Sequence, residues 1–343
     1  MKLLYWLDEW LTLSDNEKQA KLPTSGGDLL GDVYVKYHFV DLNKPLLFTF
    51  SPAGTDVQER DLNEDFAPWG YHLAQKQNVN IIAFQHLGKS NWFRNRNLIF
   101  FIEQLSTLLS PFETKLGYGL SRGGFAVGAF AKLLKLDKVL FFHPVSTKNK
   151  LLAPWDDRSS TEIAQQYDWQ GDYHDLDLGD AEGYIIYDPN NRIDRQHAKR
   201  YKQLTHLRVF GMGHGTHATY LNKFGFYKQV AVDFIRDQQI DIAQFRLQTK
   251  TLRLKEDYYK KLNKANAKSP HRQALLSTAH TILIDEKATH VKEHQAQIDI
   301  QPLIDVAIKH QDENPTDAIK LLEVAQQLVP DDPLVEHKLK QLK

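Results

Sequence analysis

Residues Leu116 to Ala129 read Leu-Gly-Tyr-Gly-Leu-Ser-Arg-Gly-Gly-Phe-Ala-Val-Gly-Ala. The run Leu116 to Leu120 predicts a short strand, and the apolar, Ala-rich run from Phe125 to Leu134 predicts a helix. Between them, Gly119-Leu120-Ser121-Arg122-Gly123 places a serine on a sharp strand-to-helix turn. Small residues two before and two after the serine let strand and helix approach each other. Gly124, Ala126, Gly128 and Ala129 keep the start of the helix slim. A nucleophile needs such a turn. The other use of a Gly-rich turn here is tight packing or phosphate binding.

Further strands are predicted at Val33 to Val40, Leu46 to Phe50, Val79 to Phe84, Lys138 to Phe142, Gly183 to Tyr187 and His206 to Phe210. Leu98 to Leu109 has helical spacing. Strands alternating with helices imply crossover connections, so an α/β fold with a mostly parallel sheet covered by helices on both faces. Gly26-Gly27-Asp28 reads as a turn. The segment from His143 to Asp180 breaks the rhythm. It is expected to form a lid-like insertion over the carboxyl ends of the strands, the alternative being a plain surface loop.

The chain has 343 residues with 43 Lys+Arg against 43 Asp+Glu, so no overall field attracts nucleic acid or an anionic membrane. It has no Cys, which excludes disulfides, thiolate metal sites and a Cys nucleophile. No run of about 18 apolar residues predicts a membrane span. The N-terminal run starts like a signal peptide, but Asp8 and Glu9 interrupt it. It reads as an amphipathic helix with Leu3, Leu4, Leu7, Trp10 and Leu11 on one face, and a cytoplasmic location is expected. Composition shifts near residue 245 toward Lys, Glu, Gln and His. The expected division is a catalytic domain over 1–245, with its insertion at about 143–180, and a helical region over 246–343. In the latter, Asn314 caps a helix starting at Pro315 whose apolar face is Ala318, Leu321, Leu322, Ala325 and Leu328. The Pro330-Asp331-Asp332-Pro333 break that follows resembles part of a tetratricopeptide repeat, and these helices are a candidate surface for a protein partner.

The strand order allots the remaining chemistry. A base should follow the last strand, where Gly213-His214-Gly215 stands, with His217 in reserve. An acid should follow the strand before it, and Asp188 and Asp194 both qualify. Asp194 is preferred because it lies a few residues past the strand. The oxyanion hole is expected from the backbone N–H of Arg122 and of Ala53 or Gly54, in the turn after Leu46 to Phe50. Trp92 and Arg94, in Lys89-Ser90-Asn91-Trp92-Phe93-Arg94, are candidate substrate-binding residues through stacking and bidentate contacts. Trp155-Asp156-Asp157-Arg158 is expected to hold a structural ion pair in the insertion. No metal and no cofactor is expected: His143, His174 and His217 are scattered, and no dinucleotide or phosphate fingerprint is present.

Several stretches, YGLSRGGFAVGAFA, FFHPVS, PWDDR, YDPNNRIDRQHA and GMGHGTHATYL, together resemble a family of bacterial α/β-hydrolase-like proteins. Its members are often linked to tetratricopeptide segments or to surface-polysaccharide genes. The resemblance runs from Tyr118 to about Phe226, with NWFRNRN upstream. It implies the α/β-hydrolase fold with Ser121 as nucleophile and His214 as base. Its Asp-x-x-His-Ala element, Asp194 to Ala198, favours Asp194 as the acid. One departure is Arg122, where many relatives carry Met; a long cation there would face an anionic substrate or lie on the surface.

The expected function is a serine esterase acting through an acyl-enzyme on a small-molecule or saccharide ester. Two alternatives share the fold: an O-acyltransferase acting on a capsular polysaccharide, and a non-catalytic binding or scaffold protein.

Overall fold

The computed structural model describes residues 2–55, 57–88, 92–158, 164, 168–214, 225–251, 259, 270–297, 299–330 and 332–342. Lys89, Ser90, Asn91, the reserve histidine His217, the Gly215 to Leu221 part of the last family stretch, and Asp331 lie outside the described residues. The chain divides into two compact units. Among the described residues, the first holds the sheet and runs through the helix Ile242–Thr251, and the second holds the helices from Pro270 onward.

The first unit is built on eight strands: β1 Thr24–Leu30, β2 Val33–Phe39, β3 Leu46–Phe50, β4 Asn80–His86, β5 Lys115–Leu120, β6 Lys138–Phe142, β7 Glu182–Tyr187 and β8 Thr205–Arg208. Their order in the sheet is β1-β2-β4-β3-β5-β6-β7-β8. β1 and β2, and β2 and β4, pair antiparallel. Every pair from β4 to β8 is parallel. Every residue of β3 and β4 is buried, as expected of central strands covered on both faces. Helices α1 Lys2–Leu11, α2 Asp15–Ala20, α3 Tyr71–Lys76, α4 Arg96–Thr107 and α5 Arg122–Phe130 precede or connect these strands.

Register positions the site. Phe50 of β3 lies opposite Gly119 of β5, and Leu120 of β5 lies opposite Phe142 of β6. The carboxyl ends of these three strands are therefore level, and the loops that leave them start side by side.

Gly26-Gly27-Asp28 is not a turn but the middle of β1. Gly26 pairs with Tyr37, and a Cβ at Gly26 would overlap the Tyr37 ring, while one at Gly27 would overlap the Tyr34 ring. The glycines make room for aromatic rings of the partner strand, a role of strand glycine that the local sequence does not reveal. Asp28 then receives the N–H groups of Lys2 and Leu3 at 2.9 and 2.8 Å and caps α1, which buries Leu3, Leu7 and Trp10.

In the second unit, the helices Gln301–His310, Pro315–Leu328 and Pro333–Leu342 share a core of Ile304, Ala307, Ala318, Leu322, Ala325, Val335 and Leu339. Asn314 accepts the Asp317 N–H and Pro315 opens its helix. Leu321 packs at the edge of the core, whereas Leu328, the last helical residue, is exposed. Among the described residues no helix is long and apolar enough to cross a membrane.

Candidate active site

Ser121 sits between β5 and α5 with φ +51° and ψ −113°, a conformation that costs a side-chain-bearing residue about 1–3 kcal/mol. Its surroundings hold it there. Its N–H donates to the Phe142 carbonyl at 3.1 Å, and its carbonyl accepts from Phe125 and Val145 N–H, each at 3.1 Å. A Cβ at Gly119 would lie 2.6 Å from Gly124 Cα, and one at Gly123 would collide with the Phe50 carbonyl oxygen. The two motif glycines thus serve the close approach of β5, α5 and β3.

Ser121 Oγ lies 2.9 Å from His214 Nε2, and His214 Nδ1 lies 2.8 Å from Asp194 Oδ1. An ionised carboxylate only accepts, so Nδ1 carries the proton and Nε2 is left to accept from the serine. Asp194 is buried in the first turn of the helix Arg192–Ala198, whose cap, Asn191, accepts the N–H groups of Ile193 and Asp194. Its Oδ2 has no hydrogen-bond partner among the described residues. Asp188, at the end of β7, is placed differently. Its Oδ2 accepts the Gly213 N–H at 2.8 Å and its Oδ1 accepts the Asn190 N–H at 2.8 Å. Burial raises the Asp188 carboxyl above its ordinary range, outweighing the N–H groups of Asn190, Gly213 and Gly211.

His143, read from sequence as one of several scattered histidines, is buried beside this line. Its ring centroid is 4.6 Å from that of His214. His143, Asp194 and His214 offer ligand atoms within 4.8 Å of one another, a donor set suited to a divalent ion. The guanidinium of Arg158, 3.5 Å from Asp194 Oδ1, opposes a second cation there.

The Arg122 side chain neither faces a substrate nor lies on the surface, which corrects the sequence expectation. It is buried, donates from Nη2 to the Pro52 carbonyl at 3.0 Å, contacts His86 Nε2 at 3.0 Å and lies over the Phe93 ring. Arginine placed here ties the start of α5 to the turn that follows β3. Ala53 and Gly54 follow Pro52 in that turn and are exposed, with Gly54 at φ +85°.

Arg94 and Trp92 are also placed away from the expected role. Arg94 donates to the Asp168 carbonyl from Nε and Nη2, at 3.1 and 2.8 Å, and to the Asp172 carbonyl from Nη1 at 2.6 Å. Trp92 is buried against Phe125 and Trp169. Both residues anchor the insertion, because a loop without strand partners leaves carbonyls that a guanidinium fork can satisfy.

Asp156 is the polar centre of the insertion. It accepts from Lys148 Nζ at 2.7 Å, and from Arg158 Nε and Nη2, each at 2.8 Å. His197 Nδ1 faces the Ser146 N–H at 3.2 Å and so accepts, which leaves Nε2–H to donate to Asp156 Oδ2 at 3.1 Å. Burial alone would raise the Asp156 carboxyl, but the bonds from Arg158 and His197 and the charges of Arg158 and Lys148 outweigh it. They hold it far below the usual carboxylate range. Burial, and then the Arg158 charge, pull Lys148 down to about 8 against the attraction of Asp156. The stretch Trp155 to Arg158 predicts an ion pair without naming its acid. The acid is Asp156, while Asp157 pairs with Arg192, and Lys148 and His197 are further partners of Asp156 that the sequence does not announce.

No protein-family model and no curated protein matches this chain. Among solved structures it is similar to fungal esterases of Rhizomucor miehei, at 15% identity over 67% of this chain and 90% of that chain, with TM-score 0.43. It is also similar to an esterase/lipase from an uncultured bacterium, at 15% identity over 64% and 86% of the two chains, with TM-score 0.41. A third similar structure is the capsule O-acetyltransferase of Neisseria meningitidis serogroup A, at 12% identity over 63% and 99%, with TM-score 0.39. With its mostly parallel eight-stranded sheet, a serine on the strained turn after β5, and an aspartate and a histidine following β7 and β8 in that chain order, the chain has the α/β-hydrolase fold.

Proposed function

We propose that the chain is a serine-dependent carboxylic ester hydrolase that works through an acyl-enzyme. The observation that carries this reading is the unbroken line from Ser121 Oγ through His214 to the buried Asp194. Ser121 Oγ attacks the ester carbonyl while His214 Nε2 takes its proton. Asp194 holds the Nδ1–H tautomer and stabilises the imidazolium that forms. The N–H of Arg122, at the positive end of α5, receives the developing oxyanion together with an N–H of Ala53 or Gly54. His214 returns the proton to the leaving alcohol, and water repeats the sequence on the acyl-enzyme.

Short p-nitrophenyl esters test the reading. Wild type turns them over, and Ser121→Ala lowers kcat by on the order of 10⁵ or more, with the melting temperature unchanged. Wild-type turnover by Ser121→Ala overturns the proposal.

A further inference from the structure

Arg158 comes from the insertion, yet its guanidinium reaches the line just described. Nε and Nη2 are bound to Asp156, each at 2.8 Å. Nη1 is 3.5 Å from Asp194 Oδ1 and 3.5 Å from His214 Nδ1. We infer that Arg158 is a positioning residue of the triad, a cation locked by Asp156 that balances Asp194 and fixes the orientation in which it receives the His214 N–H.

Charge balance supports this. Asp156 and Asp194 are buried carboxylates, and a buried carboxylate is tolerated when a cation and hydrogen bonds compensate it. Lys148 and Arg158 are cations bound to Asp156, and Arg158 also reaches Asp194. Lys148 touches only Asp156 of the pair, so Arg158 is the cation beside Asp194. Asp194 also lacks a hydrogen bond at Oδ2 among the described residues, which leaves its Oδ1 edge to be set by His214 and Arg158.

Rigidity supports it too. The guanidinium fork is planar, and two of its three nitrogens are fixed on one carboxylate, so the direction of Nη1 follows from the position of Asp156. Asp156 is in turn held by Lys148 and by His197. His197 belongs to the same helix as Asp194, one turn on. The insertion and that helix therefore brace one another around Arg158. A role in gripping an anionic substrate fits less well, because Nε and Nη2 are already committed to Asp156.

The inference rests on the hydrolase reading, and the experiment separates the two. Steady-state kinetics on a p-nitrophenyl ester compare wild type, Arg158→Gln, Arg158→Ala and Ser121→Ala. Arg158→Gln is expected to lower kcat about 10- to 100-fold, with KM changed less than about threefold, as when an orienting partner behind a reactive group is lost. Arg158→Ala leaves a space bounded by Asp156 and Asp194, and guanidinium ion at low, non-denaturing concentration is expected to restore part of its kcat. It restores none in Ser121→Ala. A residue that only supports the fold would show no such rescue. Wild-type kcat in folded Arg158→Gln overturns the inference while leaving the hydrolase reading intact, provided Ser121→Ala is inactive. A rise in KM that accounts for the whole loss, without rescue, also overturns it, since that marks a substrate contact. Should the Gln variant not fold, Arg158→Lys decides. Its point charge keeps the balance but lacks the fork, so kcat falls at constant KM, and wild-type kcat overturns the inference.

Discussion

Asp188 Oδ2 accepts the N–H of Gly213, the residue before His214, at 2.8 Å. Asp188 thus braces the loop, whereas Asp194 meets the ring itself. The two carboxylates are expected to fail differently. Asp194→Asn keeps the shape but favours the wrong imidazole tautomer, and turnover falls on the order of 10⁴ by analogy with serine proteases. Asp188→Asn turns an amide toward a backbone N–H and weakens the brace, at a cost of about 1–3 kcal/mol. Turnover and melting temperature of both variants check this. A well-folded, inactive Asp188→Asn beside an active Asp194→Asn would reverse the two roles.

Acid should loosen the insertion. The Asp156 carboxyl is held below its unfolded value, so it contributes stability that is present above that value, about 4, and is lost as pH falls through it and below. Asp188 has the opposite sign: a raised carboxyl contributes stability present in acid and lost as pH rises through its folded value. Asp156→Asn should cost about 3–5 kcal/mol at neutral pH, because it strands Lys148 and Arg158. Its stability should also decline less steeply than wild type between about pH 5 and pH 3. Thermal melts across that range check this, and parallel curves contradict it.

Gly123 tests the turn. In an ordinary helix, Gly→Ala gains about 1 kcal/mol. Here the new Cβ would meet the Phe50 carbonyl, a backbone atom that no rotamer change can move aside. Gly123→Ala is therefore expected to lower the melting temperature by several degrees, as a net loss of about 1–2 kcal/mol does in a domain of this size. A higher melting temperature contradicts the close-approach account.

What could be read from the sequence follows from range. β3 and β6 run as predicted, at Leu46–Phe50 and Lys138–Phe142, because a strand buried on both faces is a continuous apolar run. The Ser121 turn is legible because its constraint is local: small residues within a few positions. β1 is not legible because its glycines make sense only against β2, where Gly26 lies opposite Tyr37 and Gly27 leaves room for the Tyr34 ring. A cation near a candidate site suggests a ligand, so the sequence makes Arg94 a substrate-binding candidate and leaves Arg122 facing a substrate or lying on the surface. Their acceptors are backbone carbonyls at Asp168, Asp172 and Pro52, which carry no sequence signature. Arg158 lies 36 residues from Asp194, and neither residue type nor spacing announces that pairing. The quoted stretches PWDDR and YDPNNRIDRQHA held both partners without showing that they meet.

A covalent probe tests the Ser121–His214–Asp194 line most directly. Wild-type protein is treated with a fluorophosphonate, and intact mass and peptide mapping locate the adduct. One phosphonyl group per chain is expected on Ser121, with slower labelling in Asp194→Asn and none in Ser121→Ala. A folded wild type that stays unlabelled at Ser121, or a Ser121→Ala variant that labels at the wild-type rate, would contradict it.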